Sequence, residues 1–452
     1  MINLKSIHKM VFFVALFTLI PLWNIPHTIA GRYLCEGALL ICVLFYKPDW
    51  SSFFQKNKLL VVFFVYLGIQ LIFFSENYQA AFSNFRAEWM HFILFSIIGA
   101  GTGLILGRKN SHQFLLYLGI AFSVPLYIHL ILFLFKSISI GAIPWGYSGI
   151  NLIHGDFAYP ALEAIILLCT FCILQTNGKI YRYIAIALMT ICVVSPLLAA
   201  SRGGVGFSFI GAFFVMITYF LFDRDNRISN KKKIFLLLSI PILIAGIYKI
   251  GVVSNPNRWS GILSRVAIGL EGNPSKVYCE GIEVLENALK DKGIEMTPSI
   301  QKGLDSVVDG DGARMMAARA GLMLIYENPM GINQSKEAYQ QAITQYCNHT
   351  PKIFISHTHN AWIDTSLAIG ILGAILLLMV LINYAQIGLI SFRAHLSSSP
   401  FGLALFASAV MWALRGLLDS TMRDQMLEMQ AFIIALFAGI VLAQNKLNSM
   451  VD

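Results

Sequence analysis

Two histidines one residue apart, His357 and His359, and the Asn360 that follows them close a long polar stretch. The apolar run Ala361 to Leu381 starts immediately after. Imidazole is the side chain best suited to moving a proton near neutral pH, because its ordinary pKa is about 6.5. Here it stands where water-facing chain enters a hydrophobic helix. The plainer alternative is a pair of polar interfacial side chains, with Asn360 serving as a helix N-cap. A His-x-His pair without a third ligand does not make a metal centre, so neither metal nor cofactor is expected.

Arginines at apolar boundaries are the second group. Ser201-Arg202-Gly203-Gly204 interrupts the apolar stretch from Tyr181 to Phe222. An arginine costs about 2.5–3.5 kcal/mol at the centre of a membrane helix and less at the interface. Arg202 is therefore either an interfacial group snorkelling to lipid phosphates or a fixed anion-binding group, with glycines that let a ligand approach the backbone. Arg314 and Arg319 fall on a candidate helix, Ala313 to Asn328. Five residues separate them, about 140° around a regular helix, so they cannot face one target. Arg314 is the candidate; Arg319 is expected to be solvated or paired with Asp309, Asp311 or Glu327. Arg415, Asp419 and Arg423 recur at i, i+4, i+8 and suggest an ion-pair row within a bundle. Arg86 with Glu88, and His154 with Asp156, are weaker candidates of the same sort.

The elements that must position these groups are membrane helices. The chain is 57% hydrophobic and 13% charged, against about 25% charged for a soluble domain, and its mean hydropathy is +0.67. Twelve apolar runs approach or exceed the length needed to span hydrocarbon, near residues 10–28, 30–46, 58–75, 88–107, 113–135, 155–175, 180–199, 203–222, 234–253, 360–382, 400–418 and 428–445. The second, short and carrying Glu36, is the weakest of them. The expected fold is an all-α polytopic membrane protein of about twelve spans. Residues 1–253 hold nine spans, 254–358 form one large, mainly helical external loop, and 359–452 hold three more. With the N-terminus inside, the cytoplasmic segments carry sixteen basic residues against four acids, whereas 254–358 is nearly neutral. The net charge of +9 is thus the positive-inside bias and gives no reason to expect a nucleic-acid partner. That topology puts Arg202, Arg314 and His359 on one face of the membrane.

Within the loop, Ser275 to Lys290 has weak helical periodicity, Asp309-Gly310-Asp311-Gly312 breaks the chain, and Pro329 and Gly331 end the helix that follows. Cys169 and Cys172 lie inside an apolar span as core residues. Cys279 and Cys347 are the two cysteines of the loop, and an oxidising exterior would permit a disulfide; the sequence leaves this open.

These features together resemble a known family. His359-Asn360 followed by Gly370-Ile371-Leu372-Gly373 is similar to the histidine motif of the O-antigen ligase and polymerase superfamily. Gly312-Ala313-Arg314, with Pro329 and Gly331, resembles its external-loop helix, and Ser201-Arg202-Gly203 its membrane-boundary arginine motif. The doublet His357-Thr358-His359-Asn360 and the Gly-Ala-Arg opening look most like the O-antigen ligase (WaaL) family. The resemblance covers about residues 195–425. It implies an inner-membrane enzyme with its active site facing the periplasm. The donor would be a glycan on undecaprenyl pyrophosphate, and the acceptor a sugar hydroxyl of lipid A–core. Arg202 and Arg314 would hold the pyrophosphate. His359 would take the acceptor proton with His357 beside it, and the anomeric centre would invert.

Three alternatives share parts of this pattern: the polymerase of the same superfamily, a ligase that attaches glycan to protein, and a lipid-linked glycan transporter. A transporter requires charged groups through the depth of the membrane. Ionisable residues in the spans are few here (Glu36, Glu163, Lys249, Asp364 and the Arg415–Arg423 row), and most sit near an edge.

Overall fold

In lipid the apolar runs can satisfy their backbone only as helices, and among the described residues no strand is formed. The structure, a computed structural model, describes residues 4–107, 112–150, 154–174, 178–222, 230–394 and 399–448. Among the described residues, seven helices are long and apolar enough to cross a membrane: Ile29–Tyr46, Tyr78–Leu106, Gln113–Ile140, Lys179–Leu198, Arg202–Phe222, Ala361–Arg393 and Asp424–Leu447. Ile7–Leu22, Lys58–Phe73, Ala158–Leu174, Pro241–Ser254 and Ser399–Arg415 are shorter apolar helices that coincide with the remaining runs. The chain is an all-helical, multi-pass membrane protein.

The helix Asp424–Asn448 is the centre of the bundle, its most apolar stretch being 94% buried. It meets the helix Met90–Leu106 through small residues. A Cβ on Gly103 would lie 2.1 Å from the Leu436 carbonyl oxygen, and one on Gly439 would lie 2.4 Å from that of Ala100. Such backbone contact replaces the hydrophobic drive that lipid does not supply between helices.

Between Asn230–Ser254 and Ala361–Arg393 the chain folds into seven helices: Pro256–Trp259, Ile262–Gly269, Pro274–Glu280, Glu283–Asp291, Pro298–Val308, Asp311–Glu327 and Ala338–Cys347. The single helix expected over Ser275 to Lys290 is two, because Gly281 takes a φ of 103° between them. The helix expected over Ala313 to Asn328 begins two residues earlier, at Asp311. Pro298–Val308 went unread in the sequence, although Thr297 caps it and Pro298 opens it. Cys279 and Cys347 form a disulfide that ties Pro274–Glu280 to Ala338–Cys347.

The helix Ala361–Arg393 is broken at Gly370, whose φ of 81° and ψ of 163° are not helical. Into this break fits the turn that follows Asp311–Glu327. Ile332 N donates to Leu367 O (2.7 Å), Gln334 N to Ala368 O (3.1 Å) and Ile371 N to Pro329 O (3.0 Å). Tyr66 Oη donates to Ile369 O at 2.7 Å. A Cβ on Gly331 would meet Gly370 N at 2.4 Å, so both glycines are required for the backbones to touch. Irregular backbone is tolerated in a membrane helix only where protein buries it and pairs its groups, as here. The result locks the helix carrying Arg314 to the helix that begins beside His359.

Candidate active site

The histidine segment is neither helix nor strand, and its shape is set by its neighbours. Asn360 caps the following helix, its Oδ1 accepting from Trp362 N (3.0 Å) and Ile363 N (3.1 Å), while Nδ2 donates to Leu417 O (3.1 Å). The capping alternative for Asn360 is the observed geometry. Buried Thr358 is held by Asp364, whose Oδ1 accepts from Thr358 N (2.9 Å) and Oγ1 (2.8 Å). Asp364 Oδ2 in turn accepts from Ser420 Oγ at 2.5 Å. Gly321 of the loop helix packs on this knot, where an added Cβ would sit 2.7 Å from Thr358 Cγ2. With Thr358 pinned inward, the two histidines turn outward together and their ring centroids lie 4.2 Å apart. Helical periodicity would have set them about 200° apart.

His359 sits at a φ of 56°, in the left-handed region that a non-glycine residue occupies at a cost of about 1–3 kcal/mol. Its Nδ1 is buried without a hydrogen-bond partner among the described residues, whereas Nδ1 of His357 is 2.7 Å from Ser356 Oγ. Burial, then His357 and Arg314, pull the His359 pKa down to about 3. The pKa of His357 is lowered too, by burial first and then by Arg423. Both imidazoles are neutral at neutral pH, the form that accepts a proton.

His359 lines a cleft of about 870 Å³ that also takes in Arg202, Arg314, Arg265 and Asp311, with Lys302, Asp305 and Asp309 among its other charged lining residues. Arg202 begins the membrane helix Arg202–Phe222, and Arg314 lies in the first turn of Asp311–Glu327. The cleft therefore joins three residues singled out from three separate stretches of sequence. Arg314 is exposed and makes no side-chain hydrogen bond or ion pair among the described residues. Arg202 is engaged: Nη1 and Nη2 donate to the two carboxylate oxygens of Asp311 at 3.0 and 2.6 Å. Asp311 Oδ2 also accepts from Arg265 Nε at 3.0 Å. Burial opposes the charged form of Asp311, but the two guanidiniums outweigh it and hold its carboxyl below the usual range.

The other candidates lie outside the cleft. Arg319 donates to the carbonyls of Gly269, Glu271 and Gly272 at 3.0–3.2 Å, instead of facing solvent or any of the acids expected. The Arg415–Asp419–Arg423 row is not one helix face, because the helix ends at Arg415. Arg415 is fully buried, pairs with Asp419 at 3.2 Å and lies 3.5 Å over the Tyr159 ring. Arg423 pairs instead with Asp424, at 3.3 Å. The chain leaves the helix because Ala361 N takes both Gly416 O and Asp419 O as acceptors. Arg86 is exposed on a π-turn, Phe85–Trp89, while Glu88 points inward to accept from Asp424 N at 2.8 Å. His154 and Asp156 fall on the turn His154–Phe157, and the His154 side chain lies outside the described residues.

Residues 162–378 match the O-antigen ligase family. The match covers just under half of the chain. No curated protein matches the chain. The matched stretch spans Arg202, Arg265, Asp311, Arg314, His357 and His359, and ends before Arg415. Sequence reading missed Arg265, which is an ordinary arginine in a polar segment. Asp311 offered a signal, an acid in the first turn of the helix that carries Arg314, where the helix dipole favours negative charge.

Proposed function

We propose that the chain is an O-antigen ligase: a membrane glycosyltransferase that transfers a glycan from undecaprenyl pyrophosphate to a sugar hydroxyl of lipid A–core. In this reading the protein lies in the bacterial inner membrane with twelve spans. Residues 254–358 are periplasmic, between membrane segments 1–253 and 359–452. The reading is carried by one observation, the cleft in which a neutral imidazole and two arginines from separate elements meet.

In the reaction, the acceptor oxygen forms a bond to the anomeric carbon from the face opposite the pyrophosphate. The bond from that carbon to the phosphate oxygen breaks, and its electron pair leaves with undecaprenyl pyrophosphate. The acceptor's proton passes to His359. Arg202 and Arg314 take up the charge on the leaving group, since guanidinium forks match phosphate oxygens. Arg314 suits this role because its fork is unoccupied. His357, packed on the His359 ring, orients it.

The test is transfer of carrier-linked glycan to lipid A–core by the purified chain. His359→Ala should lower the rate by about 10²–10⁴-fold, the usual worth of general-base assistance, and leave thermal unfolding unchanged. Wild-type rates from that variant would refute the base assignment. Product built on carrier-linked glycan, with lipid A–core ignored, would make the chain a polymerase.

A further inference from the structure

We infer that Asp311 and Arg265 are positioning residues that hold the Arg202 fork ready for the donor's diphosphate; the inference rests on the ligase reading above. The three side chains form one ion cluster graded in exposure. The Arg202 side chain is 25% exposed, that of Asp311 12% and that of Arg265 8%. Arg202 is the most exposed of the three, and all three line the cleft. Arg265 is fully committed, with Nε and Nη2 on Asp311 Oδ2 (3.0 and 2.8 Å) and Nη1 on Ser260 O (2.6 Å). All three of its guanidinium nitrogens are taken up by Asp311 and Ser260, and its side chain is the least exposed of the three.

Asp311 uses the end of the Arg202 guanidinium, taking Nη1 and Nη2 with one oxygen each. A guanidinium has five N–H donors in a rigid plane, so a second anion can still bind along the remaining edge. Without Asp311, Arg202 would be a long, flexible cation at the membrane boundary, free to snorkel to lipid phosphates. With it, the fork is fixed in direction before the donor arrives. Arg265 adds a second guanidinium to the half-buried Asp311 carboxylate and helps to keep it charged.

The experiment is a double-mutant cycle on the full chain in detergent, with inorganic pyrophosphate as the probe in calorimetry and glycan transfer as the second readout. Asp311→Asn should weaken pyrophosphate binding by about 10–100-fold, the worth of a charge-assisted pair. It should raise donor KM, while kcat at saturating donor stays within about threefold. In an Arg202→Ala background the same change should cost less than about threefold, because Asp311 acts through Arg202. Equal losses in both backgrounds would mean a merely structural role and overturn the inference. If Asp311→Asn does not purify folded, Arg265→Lys, which keeps the charge and loses the fork, carries the same cycle with the same two outcomes. Binding that is lost with Arg202→Ala yet indifferent to Asp311 and Arg265 sinks the inference alone. A wild-type chain that neither binds pyrophosphate nor transfers glycan sinks the ligase reading and the inference with it.

Discussion

The low pKa of His359 makes a pH dependence that an ordinary histidine base would not give. An imidazole at pKa 6.5 is about 90% neutral at pH 7.5 and about 10% neutral at pH 5.5, so a rate that needs the neutral form falls roughly tenfold between them. Burial, His357 and Arg314 hold the His359 pKa down at about 3. The ring remains almost wholly neutral at pH 5.5. Since kcat/KM reports the free enzyme, it should change by less than about twofold over that interval. The donor alters the balance. Its diphosphate places negative charge beside Arg314, removes part of the field opposing protonation, and moves the His359 pKa upward in the complex. The acid limb of kcat should therefore lie at higher pH than that of kcat/KM. Arg314→Gln should shift the free-enzyme limb in the same direction. The assay is a pH series of carrier-to-acceptor transfer, with His357→Gln as a control because the two rings titrate as a pair. A tenfold fall in kcat/KM from pH 7.5 to 5.5 that follows the titration of His359 itself would show that the ring is solvated as an ordinary histidine. The electrostatic account of the cleft would then be wrong.

Two further outcomes are expected of the loop. Arg319→Lys loses a fork that spans three carbonyls at the end of Ile262–Gly269, and should destabilise the loop by about 1–3 kcal/mol; thermal unfolding should fall and donor affinity stay near wild type, whereas a normal melting curve with weakened donor binding would put Arg319 in the substrate's path. Cys279→Ser removes the link to Cys347 and should cost about 2–4 kcal/mol. Because Lys352 N and Ile353 N both donate to Tyr278 O, hydrogen exchange at those two amides should accelerate, and unchanged protection there would mean that the disulfide does not hold the histidine segment.

Much of the candidate site was legible because charge is conspicuous in an apolar chain. Arg202 between two hydrophobic runs and His359 ahead of another stand out on solvation cost alone, and the topology that assigns them to one face follows from the lysines and arginines of the short loops. The helices were legible for the same reason: lipid leaves an apolar run of that length few other structures. What escaped was set by tertiary pairing. In a polar segment with almost equal numbers of acids and bases, nothing in the sequence marks Arg265 as the partner of Asp311 or aims Arg319 at carbonyls. The Arg415–Arg423 spacing misled because it assumed a helix that stops at Arg415, where backbone acceptors turn to the N–H of Ala361.

Gly370 shows the same limit from the other side. Gly-Ile-Leu-Gly inside an apolar run reads as uninterrupted helix, since one glycine costs only about 1 kcal/mol there. The break becomes favourable only because Pro329–Gln334, some forty residues upstream, supplies donors and acceptors for the exposed backbone. Those same contacts fix the loop helix against the membrane helix, and so set where Arg314 stands relative to His359. The meeting of two backbones at Gly331 and Gly370 therefore helps to set the spacing between Arg314 and His359.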